Sequence, residues 1–176
     1  MSTLTRKLLS SSIAALFALA GSAFAQTAPD DAQIAGIVVA ANQVDIDAGK
    51  LAQKMTKHAE VKSFAKQMVT DHTGVNKQAV ALVTKLKVKP QDSELSKSLK
   101  SGGAENMAKL KTLKGKEFDK AYIDHEVVYH EAVIDALDKT LIPNAKNAEL
   151  KDTLVKVRPA FVAHLEHAKH LQSSLQ

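Results

Sequence analysis

Residues 61–86 read VKSFAKQMVTDHTGVNKQAVALVTKL and carry a regular helical pattern. Apolar residues recur at alternating spacings of three and four, which places them on one face of an α-helix that packs into a core. His72 is the one ionisable side chain on this face. The pattern predicts a long helix, B, over 59–87, whose buried face comprises Val61, Ala65, Met68, His72, Val75, Ala79, Leu82 and Leu86.

Three further stretches have the same pattern, and each again has a single ionisable residue on its apolar face. Helix A is predicted over 31–57, helix D over 117–141 and helix E over 147–171. Pro159 lies inside E, where the missing amide donor favours a kink or a restart. No stretch alternates in the way that a strand does. The ionisable residues on these three faces are Asp45, His130 and His164.

The segment that joins B to D, 89–115, contains two short amphipathic pieces broken at Gly102-Gly103. A mostly helical linker of this length can span most of a bundle, so B and D can run in the same direction. Two antiparallel hairpins, A with B and D with E, joined by such a crossover, form a ferritin-like four-helix bundle. The sequence therefore predicts an all-α, ferritin-like fold. The alternative is a five-helix bundle in which the joining segment is a full member.

The first 25 residues have the pattern of a secretory signal peptide. Arg6 and Lys7 precede a short apolar stretch, and Ala23-Phe24-Ala25 predicts cleavage after Ala25. We therefore expect export through the Sec pathway to a bacterial periplasm, with 1–25 as signal peptide and 26–176 as one bundle domain without a transmembrane segment. The chain has no cysteine, which excludes disulfides and thiolate metal sites.

The charge pattern does not indicate a nucleic-acid partner. The chain has 24 Lys and Arg against 19 Asp and Glu, and removal of Arg6 and Lys7 with the leader leaves 22 against 19, about +3. The lysines are spread along the chain and are not interleaved with stacking aromatic residues. The sequence identifies no partner, and it is compatible with a homo-oligomer.

The ionisable residues of the four apolar faces form the candidate chemical site. Counting from the predicted helix ends places Asp45, His72 and His130 in one layer, and His164 about one turn out of it. Such groups must satisfy one another, recruit water or bind a ligand when they are buried. Bundle cores build metal sites from side chains that project inward in this way. The candidate metal ligands are Asp45, His72, His130 and His164, with Glu126, one turn before His130, as a further carboxylate.

The ligand types restrict the metal without identifying it. Imidazole and carboxylate ligands suit Fe, Mn, Zn, Cu or Ni better than Ca or Mg. A di-iron centre is not indicated, because the Glu-x-x-His motif of such bundles is absent: Val69 and Val127 stand three residues before His72 and His130. Asp71, beside His72, is expected to point elsewhere.

Two functions remain open at this point. The first is a transition-metal-binding protein that acts in metal handling or in oxidative or envelope stress. The second is a non-enzymatic envelope stress or interaction module, in which the Asp/His layer is purely structural. A redox enzyme would need an open coordination position and a substrate route, and the sequence assigns no catalytic residue. The remaining histidines are expected to face solvent (His167, His170), to flank the core (His125) or to lie in the A–B turn (His58).

Several motifs together resemble the exported bacterial ferritin-like proteins catalogued as domain of unknown function 4142. They are DIDAGKLA at 45–52, VKSFAKQMVTDH at 61–72, FDKAY at 118–122 with His130 downstream, and PAFVAHL from Pro159. The resemblance spans nearly the whole mature chain and implies a ferritin-like helical fold in a periplasmic or envelope setting. It implies no particular reaction. The family usually carries Glu where this chain has Asp45, whose side chain is shorter.

Overall fold

The computed structural model describes residues 28–175, and this part of the chain is helical and has no strand. This confirms the all-α class. The predicted signal peptide lies outside the described residues. Within 28–175 no helix is both long enough and apolar enough to cross a membrane. The elements are α1 (Asp31–Met55), α2 (Ala59–Lys85), α3 (Glu94–Thr112), α4 (Gly115–Ala136), a π-helical turn (Leu137–Leu141), α5 (Ile142–Asn144) and α6 (Ala148–Ser174).

Side-chain caps fix where the long helices begin. Asp30 accepts a hydrogen bond from Gln33 N at 2.8 Å, and the Gln33 side chain accepts one from Asp30 N, which forms a capping box at the start of α1. Ser93 starts α3 with a similar pair of bonds, and Asn147 Oδ1 accepts from the first turn of α6. These caps satisfy amide groups that have no partner inside the helix.

Contacts at one end of the molecule, called the upper end here, show the direction of each helix. Gln91 N donates to Ala32 O at 2.9 Å, so the start of α1 and the approach to α3 meet there. The Asp31 carboxylate accepts from Lys146 N at 2.8 Å and from Asn147 N at 3.0 Å, which brings the start of α6 to the same end. Helices α1, α3 and α6 therefore run downward, whereas α2 and α4 run upward, parallel to each other as predicted for B and D.

Helix α3 differs from the predicted linker, because it is one continuous helix through Gly102-Gly103. It lies along α1 with most of its residues exposed, and Gly103 allows the close approach of the two helices. A Cβ atom at Gly103 would lie 2.7 Å from Val44 Cγ2. The glycine pair therefore marks a helix contact and not a break.

The predicted interruption of the last hairpin also differs from the structure. Helix α6 continues through Pro159 without a restart. Instead, the irregularity lies at the end of α4, where the helix widens into the π-helical turn before α5. Leu137 and Leu141, at the two ends of that turn, are both buried.

The core consists of an upper and a lower apolar cluster with a polar layer between them. From the upper to the lower end, α1, α2, α4 and α6 each carry upper-cluster residues, then one or two ionisable residues, then lower-cluster residues. Because this order is shared, the ionisable residues form a layer at one height. The upper cluster includes Ile34, Val75, Leu137, Leu154 and Phe161. The lower cluster includes Ala52, Phe64, Met68, Phe118, Ile123 and Ala168.

Candidate metal centre

The polar layer brings together all five side chains that were predicted as candidate ligands. Asp45 comes from α1, His72 from α2, Glu126 and His130 from α4, and His164 from α6. Their relative exposures are 3%, 2%, 0%, 1% and 2% in that order. Because these side chains are buried from water, each of their polar atoms needs a partner within the protein or a bound ligand.

A chain of hydrogen bonds fixes the protonation of His72. Asn42 Nδ2 donates to Val38 O at 2.9 Å, one turn back along α1, so its Oδ1 faces His72. His72 Nδ1 lies 2.7 Å from this Oδ1, which can only accept, so Nδ1 carries the proton. The other nitrogen, Nε2, therefore has a free lone pair, and it lies 3.5 Å from Asp45 Oδ2.

His130 is held in a similar way by its own helix. Its Nδ1 lies 3.0 Å from the backbone oxygen of Glu126, an acceptor, and therefore carries the proton. The lone pair of the ring is then on Nε2. His130 has only this one nitrogen to offer as a ligand.

His164 is held by Asp71, a residue that was expected to point away from the site. His164 Nε2 donates to Asp71 Oδ2 at 3.0 Å, and the Asp71 side chain is 41% exposed. Asp71 thus points away from the layer, as expected, but it has a role that was not predicted. Its carboxylate does not enter the layer, but it fixes the third imidazole so that Nδ1 has the free lone pair.

His164 also lies closer to the layer than its position in the sequence predicted. The π-helical turn and α5 prolong the helical path after α4 to Asn144, so His130 lies 144 − 130 = 14 residues from the upper end. His164 lies 164 − 148 = 16 residues from the start of α6. A difference of two residues is only about 3 Å of helical rise, which an imidazole side chain can bridge.

Three imidazole rings thus converge, and each has one nitrogen anchored and one nitrogen bare. One ring nitrogen from each of His72, His130 and His164 lies within 4.8 Å of the others, and the ring centroids are 5.2–5.6 Å apart. Among the described residues none makes a hydrogen bond to His72 Nε2, His130 Nε2 or His164 Nδ1. Histidines that bind a metal usually have their other ring nitrogen anchored in this way.

Burial keeps these rings neutral. It lowers the pKa of His72 to about 2, with the neighbouring histidines adding to the shift. Burial likewise lowers the pKa of His130 to about 4, and it lowers the pKa of His164 even though Asp71 acts in the opposite direction. Neutral imidazole is the form that coordinates a metal, so no proton has to leave these rings at neutral pH.

Two carboxyl groups lie on the other side of His130. Asp45, Glu126 and His130 each offer a ligand atom within 4.8 Å of the other two. Burial raises the pKa of Glu126 to about 8, and burial followed by the proximity of Glu126 raises the pKa of Asp45 well above its usual range. The Asp45 and Tyr122 side chains lie beside the Glu126 carboxyl group and act to lower its pKa, but the effect of burial is larger. Two carboxylates at this position would balance the charge of one divalent cation.

The two groups of ligand atoms share His130, and this limits the number of ions. Because His130 has a single free lone pair, it cannot bind one ion through each nitrogen. The three imidazoles can share one ion, and Asp45 Oδ2 lies beside them, 3.5 Å from His72 Nε2. The Glu126 carboxylate lies 3.5 Å from His130 Nδ1, the nitrogen that carries the proton. Phe161 stacks on His72 with ring centroids 5.2 Å apart, and a cavity of about 20 Å³ adjoins Asp45 and His72.

A comparison with known families identifies the chain. The model of the domain of unknown function 4142 (DUF4142) matches residues 17–171. The protein belongs to the DUF4142 family. No curated protein matches it. The crystal structure of a DUF305 protein of Streptomyces coelicolor, described as secreted, has the same fold with a TM-score of 0.67 and 12% sequence identity, over 81% of this chain and 91% of that one.

Two residues of this DUF4142 domain that support the site were missed at the level of sequence. Asn42 and Asp71 anchor His72 and His164, and both lie within one helical turn of a predicted ligand. Asn42 could have been found, since it lies three residues before Asp45 and so shares its buried face. Asp71 could not, because its contact depends on how α2 and α6 meet.

The other histidines occupy supporting or surface positions. His58 caps α2, and His125 is half-buried and stacks on Tyr129. His170 is exposed as expected. His167 is only partly exposed, since it packs edge-on against Phe64 and lies 3.3 Å from Gln67.

Proposed function

We propose that the protein binds one transition-metal ion in its core. His72 Nε2, His130 Nε2 and His164 Nδ1 are the nitrogen ligands, and Asp45 and Glu126 supply one or two carboxylate oxygens. Asn42 and Asp71 hold two of the imidazoles from outside.

The observation that carries this proposal is the pattern of satisfied and unsatisfied nitrogens. A purely structural polar layer would pair both nitrogens of a buried ring, because an unpaired buried polar atom costs about 1–3 kcal/mol. Here the outer nitrogen of each ring is paired and the inner one is not. One nitrogen of each ring lies within 4.8 Å of the other two, and the Asp45 carboxyl group, which a cation would ionise, lies 3.5 Å from His72 Nε2.

The ligand set favours Fe, Mn, Zn, Cu or Ni. Calcium and magnesium prefer shells made only of oxygen, whereas imidazole suits these transition metals. The absence of cysteine from the chain removes thiolate sites from consideration. The cavity beside Asp45 and His72 is about large enough for one water-sized ligand, so an exchangeable coordination position fits there.

We further propose a ferritin-like bundle that acts after export to the periplasm, in metal handling or in oxidative or envelope stress. The pattern of residues 1–25 supports export, and the DUF305 protein with the same fold is described as secreted. The crossover between the two parallel helices α2 and α4 supports the ferritin-like arrangement.

Metal analysis of protein purified without a histidine tag tests the proposal. Chelator-treated protein is dialysed against each candidate metal, and the bound metal is measured by elemental analysis. We expect about one ion per chain, with affinity reduced at least tenfold in His72→Ala and in His130→Ala. The exposed His170→Ala is the matched control and should bind like the wild type. Undiminished binding by both core variants would exclude the site and leave the layer with a structural role in an interaction module.

A further inference from the structure

A long groove lies on the outer surface between α1 and α3, and none of the five candidate metal ligands lines it. Its volume of about 830 Å³ is in the range of small-molecule sites. It extends from Gly36 at its upper end to Lys54 and Lys111 at its lower end. The 54 − 36 = 18 residues of α1 along it correspond to about 27 Å, so the groove is long and narrow.

Apolar side chains line much of the middle of the groove, where the exposed side chains of Gln43 and Asp47 also lie. The apolar side chains lie on one face of each helix: Ala40, Val44 and Leu51 are separated by four and seven residues, and Ala104 and Met107 by three. Because Gly103 lacks a side chain, α3 approaches Val44 closely, and this contact closes the bottom of the groove. The apolar lining residues are Val39, Ala40, Val44, Leu51, Ala104 and Met107.

Unpaired positive charge collects at the lower end. Lys50, Lys54 and Lys111 line this end, and none of them forms an ion pair with a described residue. Farther up, by contrast, Lys100 pairs with Asp92. Charge complementarity therefore favours a ligand with one anionic end.

Helix dipoles do not provide this attraction. Lys54 and Lys111 lie in the last turns of α1 and α3, where the helix dipoles are negative. Any attraction of an anion to this end must come from the lysine side chains. An effect of charge on binding can therefore be assigned to them.

We propose that the groove binds one long-chain carboxylate of the fatty-acid class, as a single molecule. The acyl chain lies along the apolar middle, and the carboxylate meets Lys50, Lys54 and Lys111 at the lower end. A long, narrow, apolar cleft with cations at one end matches the shape and the charge of such a ligand. A flat hydrophobic patch would match neither.

Fluorescence titration with cis-parinarate, a fluorescent polyunsaturated fatty acid, at concentrations where it is monomeric, tests the proposal. We expect saturable binding by the full mature chain with a stoichiometry of one. The uncharged methyl ester of the probe should bind at least tenfold more weakly. Equal binding of acid and ester would overturn the role of the lysines, and absence of saturable binding would overturn the proposal as a whole.

Variants locate the site. Lys50→Gln/Lys54→Gln/Lys111→Gln should weaken cis-parinarate binding at least tenfold, and Ala104→Phe, at an exposed position on the groove wall, should weaken it by steric block. The matched control neutralises three exposed lysines elsewhere and should bind like the wild type: Lys62→Gln/Lys66→Gln/Lys156→Gln. Equal affinity of groove and control variants would overturn the assignment.

Cosedimentation with phosphatidylglycerol vesicles distinguishes a membrane surface from a single fatty acid. If the protein cosediments with the vesicles but does not bind the monomeric probe, the ligand is a membrane surface and the proposal is overturned.

Discussion

Asn42 and His72, on the first two helices, are joined by a 2.7 Å hydrogen bond that determines which nitrogen of the histidine faces the core. Asn42 can act only as acceptor in this bond, because its amide group is held by Val38 O. The bond therefore leaves His72 Nε2 as a lone pair directed toward Asp45 and the other two imidazoles. Asn42, which is not itself a candidate ligand, thus sets the tautomer of a candidate ligand on the next helix.

Replacing Asn42 by leucine should weaken metal binding while leaving all five candidate ligands in place. Asn42→Leu removes the acceptor for His72 Nδ1, so the ring loses its fixed orientation and tautomer. Loss of such an outer partner typically lowers metal affinity by about 10–100-fold. Competition against a chromophoric chelator measures the effect. Gln43→Leu, at the adjacent exposed position, is the control and should change the affinity little.

The Asp71–His164 pair allows a test from the opposite side of the site. Asp71→Ala removes the acceptor of His164 Nε2 and should weaken metal binding, whereas Asp71→Asn, which keeps an acceptor oxygen, should recover much of the loss. Because the Asp71 side chain is 41% exposed, water can take the place of its carboxylate at His164 Nε2, so its removal should change the free energy of unfolding by less than about 1 kcal/mol. A loss of affinity that merely follows a loss of stability would contradict the positioning role of Asp71.

The heights of the polar residues in the fold could be predicted from sequence because they depend on counting along helices. The three-four pattern, as around His72, is a local signal, and it gave the four predicted helices to within a few residues. The order of apolar and ionisable residues placed Asp45, His72 and His130 in one layer. The crossover direction followed from length alone.

The features that the sequence did not reveal depend on contacts between helices. Gly102-Gly103 has the composition of a break, and only the approach of α3 to Val44 makes it part of a helix. His164 was placed one turn out of the layer because its height was counted from the predicted ends of D and E. The observed ends, Asn144 and Ala148, bring His130 and His164 closer in height. The tautomers of the three histidines depend on Asn42, a backbone carbonyl and Asp71. They are therefore determined by contacts in the packed structure.

The two adjacent glycines of α3 should respond in opposite directions to alanine. At Gly102 a Cβ atom meets no other atom within 4 Å, so Gly102→Ala should stabilise the protein by up to about 1 kcal/mol through helix propensity. At Gly103 the new Cβ would lie 2.7 Å from Val44 Cγ2, and Gly103→Ala should destabilise it by about 1–3 kcal/mol. Urea denaturation measures both, and Val44→Ala should partly rescue Gly103→Ala. Equal effects of the two substitutions would contradict the packing of α3 on α1.

The metal-free protein should lose stability as the pH rises from 7 to 9. Burial raises the pKa of Glu126 from its usual 4.5 to about 8, so the folded state retains a proton that the unfolded chain has released. This contribution is complete below pH 4.5 and is lost as the pH rises through 8. The buried histidines have lowered pKa values, so their effect on stability has the opposite sign. This effect is nearly constant once the pH is well above their usual pKa of 6.5. From Glu126 alone we expect a decrease of about 1 kcal/mol in the free energy of unfolding between pH 7 and 9.

Urea denaturation of the chelator-treated protein at pH 7, 8 and 9 measures this decrease. Glu126→Gln substitutes a neutral amide for the neutral acid, so its stability should fall less steeply with pH. The raised pKa of Asp45 leaves a residual slope, which Asp45→Asn/Glu126→Gln should remove. Glu117→Gln, at an exposed position of the same helix, should retain the wild-type slope. If Glu126→Gln and Glu117→Gln have equal slopes, Glu126 is already ionised in the folded metal-free protein. A cation could then bind to this carboxylate without displacing a proton.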